Sequence, residues 1–363
     1  MEYPGKTVLY KRLETVPREL ELLATEIAVK SGRWSGGANL SPQILNRLKR
    51  AALITSAGAS TRIEGSSLSD DEIRSMIGGL KWQNMKDRDT QEVKGYYELL
   101  SLIYDNYQDI RITENNILEF HARLLKYSDK DERHKGSYKH VENSVSMTDE
   151  KGREIAVLFE TAPAWQTPDQ TRELIDWYNE TINDPKYHKI IAIAAFVVHF
   201  LKIHPFQDGN GRLSRVLTDL LMLKAGYDYV PYVSLEKIVE NNKAEYYIAL
   251  RGSQVTFDTD HESIELWTKF FLGIALAQAN EALGLLHISR LEQNLSENQG
   301  VVWQYFKDHP DDSVSVRALT AETGVNRETV KQSVGKLLNL KVIERFGAGR
   351  ATHYKVNKDI YRE

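Results

Sequence analysis

HPFQDGNGRLSR, from His204 to Arg215, decides how this chain is read. It packs one histidine, one aspartate, one asparagine, two glycines and two arginines into twelve residues, few of which suit a hydrophobic core. Just before it runs IIAIAAFVVHFL, from Ile190, which is shorter than the ~20 apolar residues a bilayer crossing needs and reads as a buried helix. That helix, starting from Tyr187, ends near His204, because Pro205 disfavours helical geometry in the residue before it. A second helix is expected from Gly211 to Ala225, stopping at Gly226, with Leu213, Leu217, Leu220 and Leu221 on its apolar face. The motif is therefore a polar turn between two core helices.

The residue types in that turn suit phosphate chemistry. His204, with an ordinary pKa near ~6.5, can accept a proton at neutral pH. Asp208 is a hard oxygen donor suited to Mg²⁺ that phosphates also hold. Gly209 and Gly211 flank Asn210 at a helix start, where bare backbone N–H groups and the helix dipole attract an anion. Arg212 and Arg215 lie three apart on one helix face and can fork onto successive phosphates. A base, a metal ligand, an anion cradle and two clamps together point to phosphoryl or nucleotidyl transfer onto a protic nucleophile. Walker-type phosphate loops do not occur.

The stretch resembles the signature of the Fic family, H-P-F-x-D/E-G-N-G-R-x-x-R, at every specified position, and the likeness extends over about Ile112 to Leu250. The resemblance implies a helical core with a β-hairpin before the motif. It also implies transfer of AMP from ATP to a Ser, Thr or Tyr hydroxyl of a target protein, including self-modification. By position, His204 would deprotonate the target, Asp208 would hold Mg²⁺, and Gly209, Asn210 and Gly211 would cradle the α-phosphate. Arg212 and Arg215 would hold the β- and γ-phosphates. Related Doc-type phosphotransferases often carry a larger basic residue where Gly209 stands here, so the glycine favours AMP transfer over phosphate transfer. In Tyr138–Phe159, β-favouring residues flank Asp149-Glu150-Lys151-Gly152, a hairpin pattern. In the family this flap docks the target by strand addition, which places Val145 to Ile155 at the docking edge. Tyr246 or Tyr247 is the candidate for lining the adenine slot, against an ordinary place in the core.

STRIEG, from Ser60 to Gly65, resembles the inhibitory motif S/T-x-x-x-E-G/N of self-restrained members of the family. Its place before the core corresponds to the class with an N-terminal inhibitory helix. Glu64 would pair with Arg215 and take the γ-phosphate clamp. Ser60, one turn earlier, would hold the helix end through its hydroxyl. A charge-assisted pair of this kind contributes roughly 1.5–3 kcal/mol, or one to two decades in turnover. In the family the same glutamate can also position water that removes AMP, so AMP removal is an alternative direction.

Elsewhere the 363 residues are largely helix-patterned and carry a net charge of −4. Helices are expected over Glu14–Lys30, Gln43–Ile63, Gln91–Tyr107, Thr113–Lys126, Pro168–Asn183, Glu240–Leu250 and Glu262–Leu286. Ser69 with Glu72 forms a capping-box pattern for a short helix ended by Gly78-Gly79. The chain has no cysteine, which excludes disulfides, thiolate nucleophiles and cysteine-ligated metal and suits a cytoplasmic protein without membrane attachment. After a polar stretch at Arg290–Asn298 come three helices and two short strands, the order of a winged helix-turn-helix. Between Ser313 and Asn357, eight Lys or Arg against three Glu leave +5. DNA contact and protein contact are both open to such a module, and a DNA-binding regulator with a nucleotide-sensing core is the rival reading of the chain. The expected architecture is mainly α: a helical region at 1–110 with the inhibitory motif, a Fic core at 111–290, and a small α/β winged helix at 291–363. A homodimer is consistent with the family.

Overall fold

The computed structural model describes residues 5–37, 40–77, 87–128, 132–148 and 154–357. Two compact units emerge, one through Ser35 and from Ser41 to Ala279, the other of Gly36–Leu40 and Asn280 onward. The first unit opens with α1 (Gly5–Glu14), α2 (Arg18–Gly37), α3 (Pro42–Ile63) and α4 (Asp70–Ser75). It continues through α5 (Arg88–Asn106) and α6 (Glu114–Leu124) to a hairpin, β1 (Ser144–Thr148) and β2 (Glu154–Glu160). Then follow α7 (Thr167–Thr181), α8 (Lys189–Ile203), α9 (Asn210–Lys224), α10 (Leu235–Asn241) and α11 (Lys243–Gln254). Helix α12 (Glu265–Gln293) contains the point of division.

Helix α8 is apolar on all sides, and Ile190 through Leu201 are buried without a break. Helix α9 lays Leu213, Val216, Leu217 and Leu220 into the same core. Small residues let α3 enter it as well: Ala57, Ala59, Ser60 and Thr61 are fully buried. Its end is closed by a Schellman pair, with Ser66 N–H donating to Thr61 O and Gly65 N–H to Arg62 O, both at 3.1 Å. Gly65 takes φ +105°, which favours a residue without a side chain. The capping box forms as expected: Glu72 N–H donates to Ser69 Oγ at 3.3 Å, and Ser69 N–H to Glu72 Oε2 at 2.9 Å. The expected stop at Gly78-Gly79 lies outside the described residues.

Three expectations change. Glu14 closes α1 rather than opening the next helix, because Pro17 disfavours helical geometry at Val16. Asn242 divides the single helix expected over Glu240–Leu250, its side-chain amide donating to Ile238 O at 2.7 Å in competition with the helix ladder. Beside the short apolar run at Ile190, the described residues include a stretch of α12, 24 residues from Glu265 to Ile288, with the length and composition of a bilayer crossing. Half of that stretch is buried, with Trp267, Phe271, Leu272, Ala275 and Ala279 packed inside.

The hairpin is antiparallel, with Val145 opposite Phe159 and Met147 opposite Ala156. Irregularities interrupt its register between Val145 and Ser146 and between Met147 and Thr148, so Ile155 falls at the second. The expected turn at 149–152 lies outside the described residues.

The second unit contains α13 (Glu297–Asp308), α14 (Val316–Thr323), α15 (Arg327–Asn339) and an antiparallel hairpin of β3 (Ile343–Phe346) and β4 (His353–Val356). Trp303, Phe306, Leu319, Val330, Leu337 and Val342 form its core. A bridge from Val314 to Tyr354 ties the segment before α14 to β4.

Gly95 marks the closest approach of α5 to α6, where a Cβ would collide with the backbone carbonyl of Leu124. Gly95→Ala is expected to cost about 1–3 kcal/mol through forced separation of the two helices. Denaturant titration checks this, and an unchanged midpoint would show that the helices can part freely.

Candidate functional site

The motif turn is built from the inside. Helix α8 ends at His204, which takes a left-handed conformation, φ 50° and ψ 60°, unusual for a residue with a side chain. Asn210 clamps the loop shut, accepting from Phe206 N–H at 2.9 Å and donating to Phe206 O at 2.7 Å. Its side chain is thus committed to the loop, and only its backbone faces the α9 N-terminus. Gly209, at φ +79°, begins α9. Such turns are strained and persist because their surroundings overdetermine them.

His204 is partly exposed, and its Nδ1 lies 3.3 Å from Leu201 O. Nδ1 therefore carries the proton in the neutral ring, which leaves Nε2 as the basic nitrogen. Burial of the ring, and next the Lys139 ammonium, push its pKa down to about 4. The imidazole is neutral at physiological pH.

Glu64, at the end of α3, reaches the α9 N-terminus. Its Oε1 accepts from Arg215 Nη2 at 2.7 Å. A Cβ on Gly211 would collide with that carboxylate oxygen, so the missing side chain makes room for it. Burial alone would raise the Glu64 pKa, but Arg215 and then Arg212 outweigh it and hold the carboxylate ionised. Ser60 does not serve the helix end, which the Schellman closure satisfies. It holds Arg215 instead, its Oγ accepting from Nε at 2.8 Å and its carbonyl from Nη2 at 2.9 Å.

Arg212 is buried between acids, Nη1 at 3.0 Å from Glu92 Oε2 and Nη2 at 3.2 Å from Asp208 Oδ2. Asp208 also meets Arg88 Nη2 at 3.3 Å and accepts from its neighbour Gly209 N–H at 2.7 Å. Burial raises its pKa, while Arg212 and these partners pull it below the ordinary value. Among the described residues, no group of three or more His, Cys, Asp or Glu is placed to hold a metal. A lone ionised carboxylate beside a phosphate cradle still suits an ion completed by substrate oxygens and water.

Tyr246 is buried and packs edge-on against Tyr247 and Trp267, with ring centroids 5.1 and 5.6 Å apart. Its phenol lies near Arg215 and Ser214, and burial raises its pKa. Tyr247 is partly exposed and close enough to Glu64 for that charge, after burial, to raise its own pKa. Val145 and Ile155 are placed on the hairpin by their backbone alone.

Several contributors lacked a sequence signal. His121 on α6 stacks on Phe206, with centroids 3.8 Å apart and planes 10° apart. Gly136 N–H donates to its Nδ1, and its Nε2–H then donates to Asp208 O, both at 3.0 Å. Glu92, Arg88 and Lys139 are the others. Arg88 and Glu92 pair with each other at i,i+4, a local spacing, but their partners in the motif, Asp208 and Arg212, each lie 120 positions away, and local spacing does not report those.

Behind Arg215, carboxylates are buried with hydroxyl partners. Tyr104 donates to Asp219 Oδ2 at 2.5 Å and Tyr96 to Glu236 Oε1 at 2.7 Å. Ser56 of α3 donates to Ser234, which donates to Glu236. Burial and the nearby Glu236 carboxylate hold the Asp219 pKa well above the ordinary range. Arg62 adds a surface tie, bonding Glu240 through Nε at 2.6 Å and Nη2 at 3.2 Å. The helix bearing Glu64 is therefore held along its length.

The Fic/DOC family matches residues 111–222. The protein adenylyltransferase fic-1 of Caenorhabditis briggsae is 29% identical over 215 residues, 57% of this chain and 38% of that protein. The protein adenylyltransferase Fic of Drosophila grimshawi is 27% identical over 57% of this chain and 39% of its own length. The chain thus spans well under half of these relatives. In structure, a Fic family protein from Desulfovibrio desulfuricans aligns with a TM-score of 0.58 at 21% identity, over 93% of this chain and 96% of its own. Fic-1 from Caenorhabditis elegans aligns with a TM-score of 0.58 at 20% identity, over 75% and 74%. The mainly helical architecture is shared with both, and residues 111–222 match the Fic/DOC family.

Proposed function

We propose that this chain is a self-restrained protein adenylyltransferase that moves AMP from ATP to a side-chain hydroxyl of a target protein. The observation that carries this reading is the placing of a carboxylate where a phosphate would sit: Glu64 against Gly211 and on Arg215, beside the neutral His204. The homologues named protein adenylyltransferase support the same reaction class.

His204 Nε2 takes the proton of a target Ser, Thr or Tyr hydroxyl. The oxygen attacks the α-phosphorus, the new O–P bond forms, and the bond to the β-phosphate oxygen breaks to release pyrophosphate. Backbone N–H groups of the α9 start, from Asn210 and Gly211, stabilise charge developing on the α-phosphate. Arg212 and Arg215 hold the outer phosphates once ATP is bound. Asp208 is the residue for Mg²⁺, which neutralises polyphosphate charge when bound. The hairpin edge at Val145–Ile155 offers main-chain groups to a target strand, and Tyr247, the more exposed of the tyrosine pair, borders the adenine slot.

Glu64 is the brake, since its carboxylate and a γ-phosphate compete for Arg215. Its side chain is 35% exposed, so solvent screening reduces the pair toward the low end of its range, about 1.5 kcal/mol. That corresponds to roughly tenfold in turnover. Positioning of a water by the same glutamate would support AMP removal as an alternative activity.

We further propose that the second unit is a winged helix whose α15 and wing meet DNA phosphates. The supporting observation is the exposure of Arg327, Lys331 and Gln332 on α15, within a stretch of net charge +5.

With Mg²⁺ and α-labelled ATP, Glu64→Gly should label itself or added lysate proteins about tenfold more than wild type, and His204→Ala in that background should abolish labelling. Absence of label from all three forms removes the transferase reading. For the second unit, duplex DNA affinity should fall steeply with salt, and Arg327→Ala with Lys331→Ala should reduce the slope by about two. A salt-independent or absent shift would turn attention to a protein partner.

A further inference from the structure

Lys139 is the most buried lysine described in the first unit, 2% exposed, and among the described residues no carboxylate is in hydrogen-bond contact with it, although the Glu142 charge acts on it at longer range. Its Nζ donates to three uncharged oxygens: Thr161 Oγ1 at 2.7 Å, Asn143 Oδ1 at 2.8 Å and Ile203 O at 3.4 Å. An ammonium has three protons, so this set satisfies it. Asn143 stands immediately before β1 and Thr161 immediately after β2, so they are the two feet of the hairpin. Ile203 is the last residue before His204.

The surrounding bonds converge on the same joint. Lys139 N–H donates to Pro205 O at 2.9 Å, and Ala162 N–H to Lys202 O at 3.2 Å. Asn143 Nδ2 donates to Phe206 O at 3.0 Å, and Thr161 Oγ1 donates to Asn143 O at 2.6 Å. Hairpin and motif turn meet through polar contacts that run through Lys139 or through residues it bonds, with the Ala162–Lys202 bond one residue beyond Thr161 and Ile203. Burying an ammonium without a carboxylate partner costs free energy, and burial draws this pKa down to about 8. A purely structural position would be filled more cheaply by an apolar side chain.

We infer that Lys139 is a positioning residue that ties both feet of the hairpin to the turn carrying His204, and so holds the docked target strand at a set distance from the base. Its consequence for AMP transfer rests on the function proposed above; the joint itself does not. Lys139 touches neither reacting atoms nor phosphates in this arrangement. It acts through Asn143, Thr161 and the Ile203 carbonyl.

The test uses the full chain carrying Glu64→Gly as parent, with Lys139→Met, Lys139→Arg and Thr161→Val added singly. Amide hydrogen exchange is followed at position 139 and at Ala162, alongside ATP affinity and self-labelling from α-labelled ATP. In Lys139→Met and in Thr161→Val both amides should exchange about tenfold faster, because the side-chain bonds that close the joint are gone. Self-labelling should fall about tenfold, ATP affinity should stay within about twofold, and Lys139→Arg should recover part of the labelling. Unchanged exchange at both amides in folded Lys139→Met and Thr161→Val would overturn the inference. So would an equal loss of ATP affinity, which would put Lys139 in the nucleotide site. Should Lys139→Met not fold, Thr161→Val decides alone. A parent that never labels removes the transferase reading, and the exchange measurement still judges the joint.

Discussion

A guanidinium that is 7% exposed must find oxygen partners within the protein, and much of this site follows from how Arg215 finds them. Two come from Ser60 and one from Glu64, all on α3. Those contacts oblige α3 to lie against the start of α9, close enough for Glu64 to rest on Gly211. An arginine positioned for phosphate is thereby neutralised within the chain, by a carboxylate that ionises readily because the same arginine holds it.

The helix that delivers Glu64 is not a loose arm. Its last turns are buried, its end is closed by Gly65, and Arg62 and Ser56 fix it to α10 and to the segment before it. Parting Glu64 from Arg215 is therefore easier by rotation of the Glu64 side chain, a third of which is open to solvent, than by withdrawal of the helix. The hairpin is the contrasting element. A two-stranded sheet alone is marginal in water, and this one depends on ties at its base. Lys139 and His121 reach the motif turn from the segment before the hairpin, so the turn carrying His204 and the foot of the hairpin share supports.

Much of the first unit was legible in the residues. The apolar run at Ile190, Pro205 after it, and leucines at helical spacing after Gly211 define two core helices with a polar turn between them. The Ser69–Glu72 cap and the Thr113 cap were legible too, since capping is a local contact across three residues. The break at Asn242 was not, because an asparagine inside a helical pattern reveals its competing bond only in coordinates. Helix α12 was legible as far as Leu286 but runs on to Gln293, and the burial of Gln278 within it, with a bond to Val233 O, was likewise visible only in coordinates.

By itself the sequence determined which polar groups gather at the motif and their local frame, because histidine, aspartate, glycines and arginines within one turn of chain are brought together by a helix stop and a helix start. It also determined that a glutamate followed by glycine would end a helix. Tertiary structure alone decided that Ser60 would serve Arg215, that Asn210 would spend its side chain on Phe206, and that Glu92, Arg88, His121 and Lys139 would complete the surroundings. Apart from the clamp of Asn210 on Phe206, four residues away, those contacts join segments far apart in the chain. They are set by which helix faces the core buries against one another, and local spacing carries no record of that choice.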